Sequence, residues 1–78
     1  MKVRVLVRLK PGVLDAQGRA IGNALSDLGY EGIRGVRVGK LIELEVDGSD
    51  PAKAQSLVRE ACEKLLANPV IETFTIET

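Results

Sequence analysis

Residues 2 to 10 alternate in character: Val3, Val5, Val7 and Leu9 take every second position, Lys2, Arg4, Arg8 and Lys10 lie between them, and only Leu6 breaks the pattern. A period of two marks a strand with one face in a core and the other in water. Such a strand cannot stand alone. It needs neighbours for its backbone and a second layer over its valines, so the rest of the chain must supply both.

Past Leu9 the period changes to that of a helix. Ala20, Ile21, Ala24, Leu25 and Leu28 form one apolar stripe, Asp15 is placed to cap the start, and Gly29 to end it in the left-handed conformation. The pattern predicts a helix over residues 16 to 28. Two extended runs come next, Ile33 to Val38 and Leu41 to Val46, separated by Gly39-Lys40, a pair suited to a two-residue hairpin turn with glycine first. In the second run Ile42, Leu44 and Val46 face inward and Glu43 and Glu45 outward, while Gly35 reads as a bulge in the first.

Asp50-Pro51 is a strong helix start, because proline at the first helical position lacks only an N–H that would have no partner there. Ala54, Leu57, Val58, Ala61, Cys62 and Leu65 share one face of that helix. Asn68-Pro69 stops it, and Val70 to Glu77 reads as a last strand.

The predicted order is strand, helix, strand, strand, helix, strand. Two split strand-helix-strand units with right-handed crossovers give an α+β, ferredoxin-like βαββαβ fold: a four-stranded antiparallel sheet in order 4-1-3-2 with two helices on one face. Charge agrees with this placement. Residues 1 to 40 carry 8 Lys/Arg and 3 Asp/Glu, and residues 41 to 78 carry 3 and 8, so the halves are +5 and −5 within a neutral chain. Interleaving them in one sheet puts Arg4 and Arg8 between Glu43 and Glu45 on one side and Glu72 or Glu77 on the other, each cross-strand pair contributing roughly 0.2 to 1 kcal/mol.

The 78 residues are read as one domain, 1 to 78, whose core is too small to be comfortable without help. Cys62 is the sole cysteine and histidine is absent, so neither an internal disulfide nor a Cys/His metal clip is available. Self-association, as a dimer or tetramer, is the expected staple, and the uncovered sheet face carrying Leu6, Leu41 or Ile71 is a natural surface for it. No run approaches the roughly 20 apolar residues of a membrane span, and the first residues lead straight into a strand; the expected location is cytoplasmic.

The inventory for chemistry is poor. Cys62 lies among Val58, Ala61 and Leu65 on an apolar helix face, which suits a small core residue better than a thiolate nucleophile. Tyr30 and Phe74 are the only aromatics, and neither falls on the central strands where an RNA-binding sheet places its stacking platforms. No catalytic, cofactor-binding or metal-binding residue is assigned. The segment Lys10 to Gly18 stands out instead, being more elaborate than a strand-to-helix join requires. Gly12, Gly18 and the helix start could cradle an anion with Lys10 adding charge, against the plainer reading of a tight turn and a close helix-sheet approach.

The segments Leu9-Lys10-Pro11-Gly12-Val13-Leu14-Asp15 with Gln17-Gly18, Ala24-Leu25 and Leu28-Gly29, Val36-Arg37 with Gly39-Lys40, Ile42-Glu43-Leu44, and Leu65-Leu66-Ala67-Asn68-Pro69-Val70-Ile71-Glu72 resemble, in order and spacing, the PurS family. That family is the small subunit of phosphoribosylformylglycinamidine (FGAM) synthase in purine biosynthesis. The resemblance implies a non-catalytic bridge, oligomeric in itself, between a glutaminase subunit and a large synthetase subunit of an ATP-dependent ligase, helping ammonia pass between them. It implies that ATP, magnesium and glutamine are used by those partners and that this chain binds none. Lys10, Asp15, Gln17, Arg37, Lys40, Asn68 and Glu72 match the family pattern and are the candidate partner-binding positions. Asp15 and Asn68 also have the plain reading of helix caps, Lys40 that of a solvated turn residue. Ala16 departs from an expected proline, and alanine still suits a first helical turn.

The alternative is an ACT-like small-molecule-binding regulatory module, which shares the topology and a Pro-Gly-Val-Leu loop. Asn68 to Glu72 have no role in that reading. A third possibility, an enzyme in its own right, would need turnover from the lone chain.

Overall fold

The structure, a computed structural model, describes residues 1–78. Strand β1 (Lys2–Leu9) is followed by helix α1 (Ala16–Asp27), strand β2 (Gly39–Glu45), helix α2 (Pro51–Ala61), a π-helical turn (Cys62–Leu66) and strand β3 (Glu72–Glu77). The sheet has three strands, all antiparallel, in the order β2-β1-β3. The predicted four-stranded sheet in order 4-1-3-2 does not form.

The missing strand is the run from 33 to 38. Gly32 and Gly35 flank and interrupt it with φ of +85° and +68°, and it joins no ladder. The hairpin expected to fold it back is also absent. Gly39 has no positive φ; it lies inside β2 opposite Arg8, and the chain runs through Gly39-Lys40 as strand. Glycine is needed there for a different reason: a Cβ would sit 2.5 Å from the carbonyl oxygen of Val7. A close approach to β1, rather than a turn, fixes this residue.

Alternation in β1 works as the sequence implies. Val3, Val5 and Val7 are fully buried, each contributing about 1.5 kcal/mol or more, beneath Ala54, Val58 and Cys62 of the second helical segment. Asp50 accepts a hydrogen bond from the Ala52 N–H at 3.0 Å, and Pro51 comes directly after it at the first helical position. Arg59 lies over the Phe74 ring, 5.7 Å from its centre, tying α2 to β3. On the opposite face charges pair across strands: Lys2 with Glu43 at 3.2 Å and Arg4 with Glu77 at 3.9 Å.

The π turn corrects a second expectation. The Ala67 N–H donates to the Cys62 carbonyl, five residues back, and the extra residue rotates the chain beyond it, so that Ala67 is buried while Leu65 is 82% exposed. Leu57 also faces outward.

Only α2 covers the sheet, not two helices. No residue of α1 belongs to the core, and Gly18 is its one buried position. Its apolar stripe is left open, with Ile21 at 40% and the capping Leu28 at 73% exposure. The molecule is accordingly long, 49 × 24 × 14 Å, with a radius of gyration of 15.9 Å; a compact chain of this length would have about 11.5 Å. No helix is long and apolar enough to cross a membrane.

Candidate functional site

The segment after β1 is held by one carboxylate and one guanidinium. Asp15 is 7% exposed; its Oδ1 accepts from the Gly18 N–H and its Oδ2 from the Val38 N–H, both at 2.7 Å. The first bond caps α1. The second crosses to the residue before β2, so the same side chain closes the loop against a remote segment. These two donors, Val38 foremost, hold the Asp15 carboxyl below the usual aspartate range; burial opposes them, and nearby Arg37 adds to the lowering.

Arg37 works mainly through its donors. Nη1 donates to the Val13 carbonyl at 3.2 Å and Nη2 to the Lys10 carbonyl at 3.1 Å, while Nε is 3.9 Å from Asp15 Oδ2. The guanidinium is half exposed, so the ionic contact is weak and the two carbonyl bonds set the geometry. The Lys10 N–H donates to the Ile71 carbonyl at 2.8 Å, which anchors the loop's other end beside the approach to β3.

A second network lies next to it. Glu72 accepts from the Asn68 N–H through Oε1 at 2.7 Å, and its Oε2 is 3.7 Å from Lys40 Nζ. Asn68 does not cap a helix. Its Oδ1 accepts from the Val70 N–H at 3.0 Å and its carbonyl from the Ile71 and Glu72 N–H groups, so it organises the turn into β3.

Between the two networks is an open depression of about 310 Å³ lined by Asp15, Gln17, Lys40 and Glu72 together with Leu9 and Leu14. Four of the seven residues singled out in the sequence thus meet at one place, and Arg37 and Asn68 brace it from behind. Lys10 stands apart through its side chain, joined only by its backbone. Neither the Lys10 ammonium nor the Gln17 amide makes a hydrogen bond within the chain, and both remain available to a partner. Sequence patterns do not single out Val38, whose contribution is a backbone N–H and leaves no trace in residue type. A larger depression of about 860 Å³ opens on the uncovered sheet face, lined by Leu6, Arg8 and Leu41 and reached by Arg37 and Lys40.

The chemistry of the site is that of a held surface. The Gly18 N–H, which an anion at the start of α1 would need, is already given to Asp15, and the carboxylate puts negative charge where the anion would sit. Cys62 is buried at the end of α2, and desolvation pushes its thiol above the usual range, away from the nucleophilic thiolate. No three His, Cys, Asp or Glu residues converge to hold a metal.

Comparison with known proteins decides the family. The family model for PurS, phosphoribosylformylglycinamidine (FGAM) synthase, matches residues 2–78. The chain belongs to the PurS family. The PurS subunit of Bacillus subtilis is 49% identical, over 97% of this chain and 89% of the other. The crystal structure of Methanocaldococcus jannaschii PurS superposes with a TM-score of 0.88 at 39% identity, covering 97% of this chain and 92% of that one. A chain in the structure of PurLQS from Thermotoga maritima gives 0.89 at 34% identity, covering 97% and 93%. The three-stranded sheet and outlying α1 are thus those of a PurS chain whose match to solved structures runs nearly end to end.

Proposed function

We propose that this chain is the non-catalytic small subunit of FGAM synthase, joining a glutaminase subunit to a large synthetase subunit and assisting the passage of ammonia between them. One observation carries the reading beyond family membership. The loop from Lys10 to Gly18 is over-determined by Asp15, Arg37 and the Ile71 carbonyl, yet it presents Lys10 and Gln17 with nothing to bind in their own chain. A rigid loop carrying free polar groups is preorganised for a partner, because little further ordering is lost on docking.

Ammonia released into water at neutral pH would be protonated and lost as a nucleophile. A close contact between the site that makes it and the site that consumes it prevents this, and a small rigid subunit that fixes their separation serves that end. The chain itself binds no cofactor in this reading; ATP, magnesium and glutamine belong to the partners, and the setting is cytoplasmic. The relatives named above are PurS proteins, which leaves the ACT-like regulatory reading without support.

The test is FGAM formation by the glutaminase and synthetase subunits with and without this chain, driven by glutamine or by an ammonium salt. Omission should abolish the glutamine-driven rate and largely spare the ammonium-driven one. Glutamine-driven synthesis that proceeds equally well without the chain would overturn the proposal.

A further inference from the structure

The charge asymmetry between the two halves of the chain is only partly cancelled in the fold. On the uncovered sheet face Arg4 lies between Glu43 and Glu77, and Lys2 reaches Glu43 at 3.2 Å. Arg8, further along β1 on the same face, has Gly39 on one side and Thr73 on the other. Neither neighbour can neutralise it. Gly39 has no room for a side chain, because a Cβ would meet the Val7 carbonyl oxygen. Glu72 falls opposite Leu9, on the other face of the sheet, where it accepts the Asn68 N–H. Arg8 therefore makes no ion pair, and neither do Arg19 of α1 and Arg34 in the run from 33 to 38.

These cations share one surface. The depression on the sheet face, lined by Arg8, Arg37 and Lys40, adjoins another of about 440 Å³ lined by Arg19, Arg34 and Arg37, and Gly35 and Arg37 belong to both. The depression beside Asp15 and Glu72 shares Val38, Gly39 and Lys40 with the first. Five exposed cationic side chains thus surround residues 35–40. Asp15 and Glu72 are the only carboxylates lining the same surface; their side chains are 6% and 14% exposed, and both accept backbone N–H groups.

Composition selects the occupant. Four of the five cations are arginines, set among aliphatic side chains such as Leu6, Leu41 and Ile33, and arginine beside apolar area is what protein–protein contacts favour. No aromatic side chain lines the surface to stack a base. Because the whole chain is neutral, its remainder carries an excess of acid, which repels a polyanion running past this zone. A discrete acidic protein surface is the complement.

We propose that the basic surface around residues 35–40 receives a carboxylate-rich surface of one of the larger subunits, with Arg8, Arg19 and Arg34 supplying charge that the chain's own acids leave unmatched. This rests on the function proposed above and adds to it the face and the sign of charge through which the chain docks.

The test is surface binding of the full chain to the glutaminase and synthetase subunits at low and at raised salt. Affinity of the parent should fall about tenfold between about 50 and about 200 mM salt, and Arg8→Glu or Arg34→Glu should weaken it about tenfold or more at the lower salt, chiefly in the association rate. Arg8→Met, which keeps the apolar stem, should flatten the salt dependence. Lys53→Glu, an equal change of charge on α2 outside this surface, should stay within about twofold of the parent. Folded charge-reversal variants that bind like the parent overturn the proposal, and Arg34→Glu, outside the sheet, keeps the test standing should Arg8→Glu not fold. Reversals that change the mass of the pure chain in light scattering, with affinity for the larger subunits unchanged, assign the surface to a second copy and overturn it too. A parent chain that binds neither subunit defeats the proposed function itself, an outcome distinct from a parent that binds whatever the charge at Arg8 and Arg34.

Discussion

Asp15 accepts the Val38 N–H at 2.7 Å across 23 positions of sequence, and the same carboxylate accepts the Gly18 N–H beside it. A helix cap has become a clamp between the loop after β1 and the segment that enters β2. Asp15→Asn leaves one acceptor for two donors and points an amide N–H₂ at the other. The melting temperature should fall by several degrees, and the Val38 amide should lose protection in hydrogen exchange; unchanged protection at Val38 would show that the clamp carries little.

The pH dependence originates in the same carboxylate. Its pKa in the folded protein lies below the ordinary value of 3.8, so the folded state favours the ionised form. The stability it supplies is complete above that ordinary value and drains away as pH falls through the folded one. Unfolding by denaturant between pH 6 and pH 2 should therefore show a loss at the acid end that Asp15→Asn reduces. An identical acid limb in both proteins would place the loss elsewhere.

Gly39 has a stringent requirement because a Cβ would meet the Val7 carbonyl oxygen at 2.5 Å. Gly39→Ala must push β2 from β1 at the head of the ladder, with an expected cost of about 1 to 3 kcal/mol in chemical denaturation. Gly12→Ala is the control, since nothing lies within 4 Å of that position, and it should change stability far less. Equal effects at the two positions would remove the close-approach explanation.

Lys10 and Gln17 should separate docking from folding. Neither side chain bonds within the chain, so Lys10→Ala with Gln17→Ala is expected to leave the melting temperature within a few degrees of the parent while weakening association with the partner subunits about tenfold or more. Calorimetry or surface binding reads the second effect. A double variant that unfolds instead returns the loop to a structural role.

Some of this is legible in the residues and some is not, for identifiable reasons. The Val3-Val5-Val7 alternation and the Asp50-Pro51 helix start are local signals, and the chain obeys them. The Gly39-Lys40 pair carries a turn signal that the close approach of Val7 overrides, and with the turn go the fourth strand and the cover from α1. The π turn at Cys62–Leu66 has no marker in residue type, which is why the helical period points Leu65 inward although it lies outside. At the site, Asp15, Gln17, Lys40 and Glu72 are singled out by the sequence and meet at one depression, whereas the Val38 N–H that completes the clamp is backbone chemistry that any residue but proline supplies.

The central claim is that this chain works as a part of an assembly. Size-exclusion chromatography of the pure chain mixed with the glutaminase and large synthetase subunits of the same cell, with glutamine and magnesium nucleotide present, tests it most directly. All three should elute together, and the Lys10→Ala, Gln17→Ala variant should fall out of that peak. A parent chain that elutes alone under those conditions would contradict the claim.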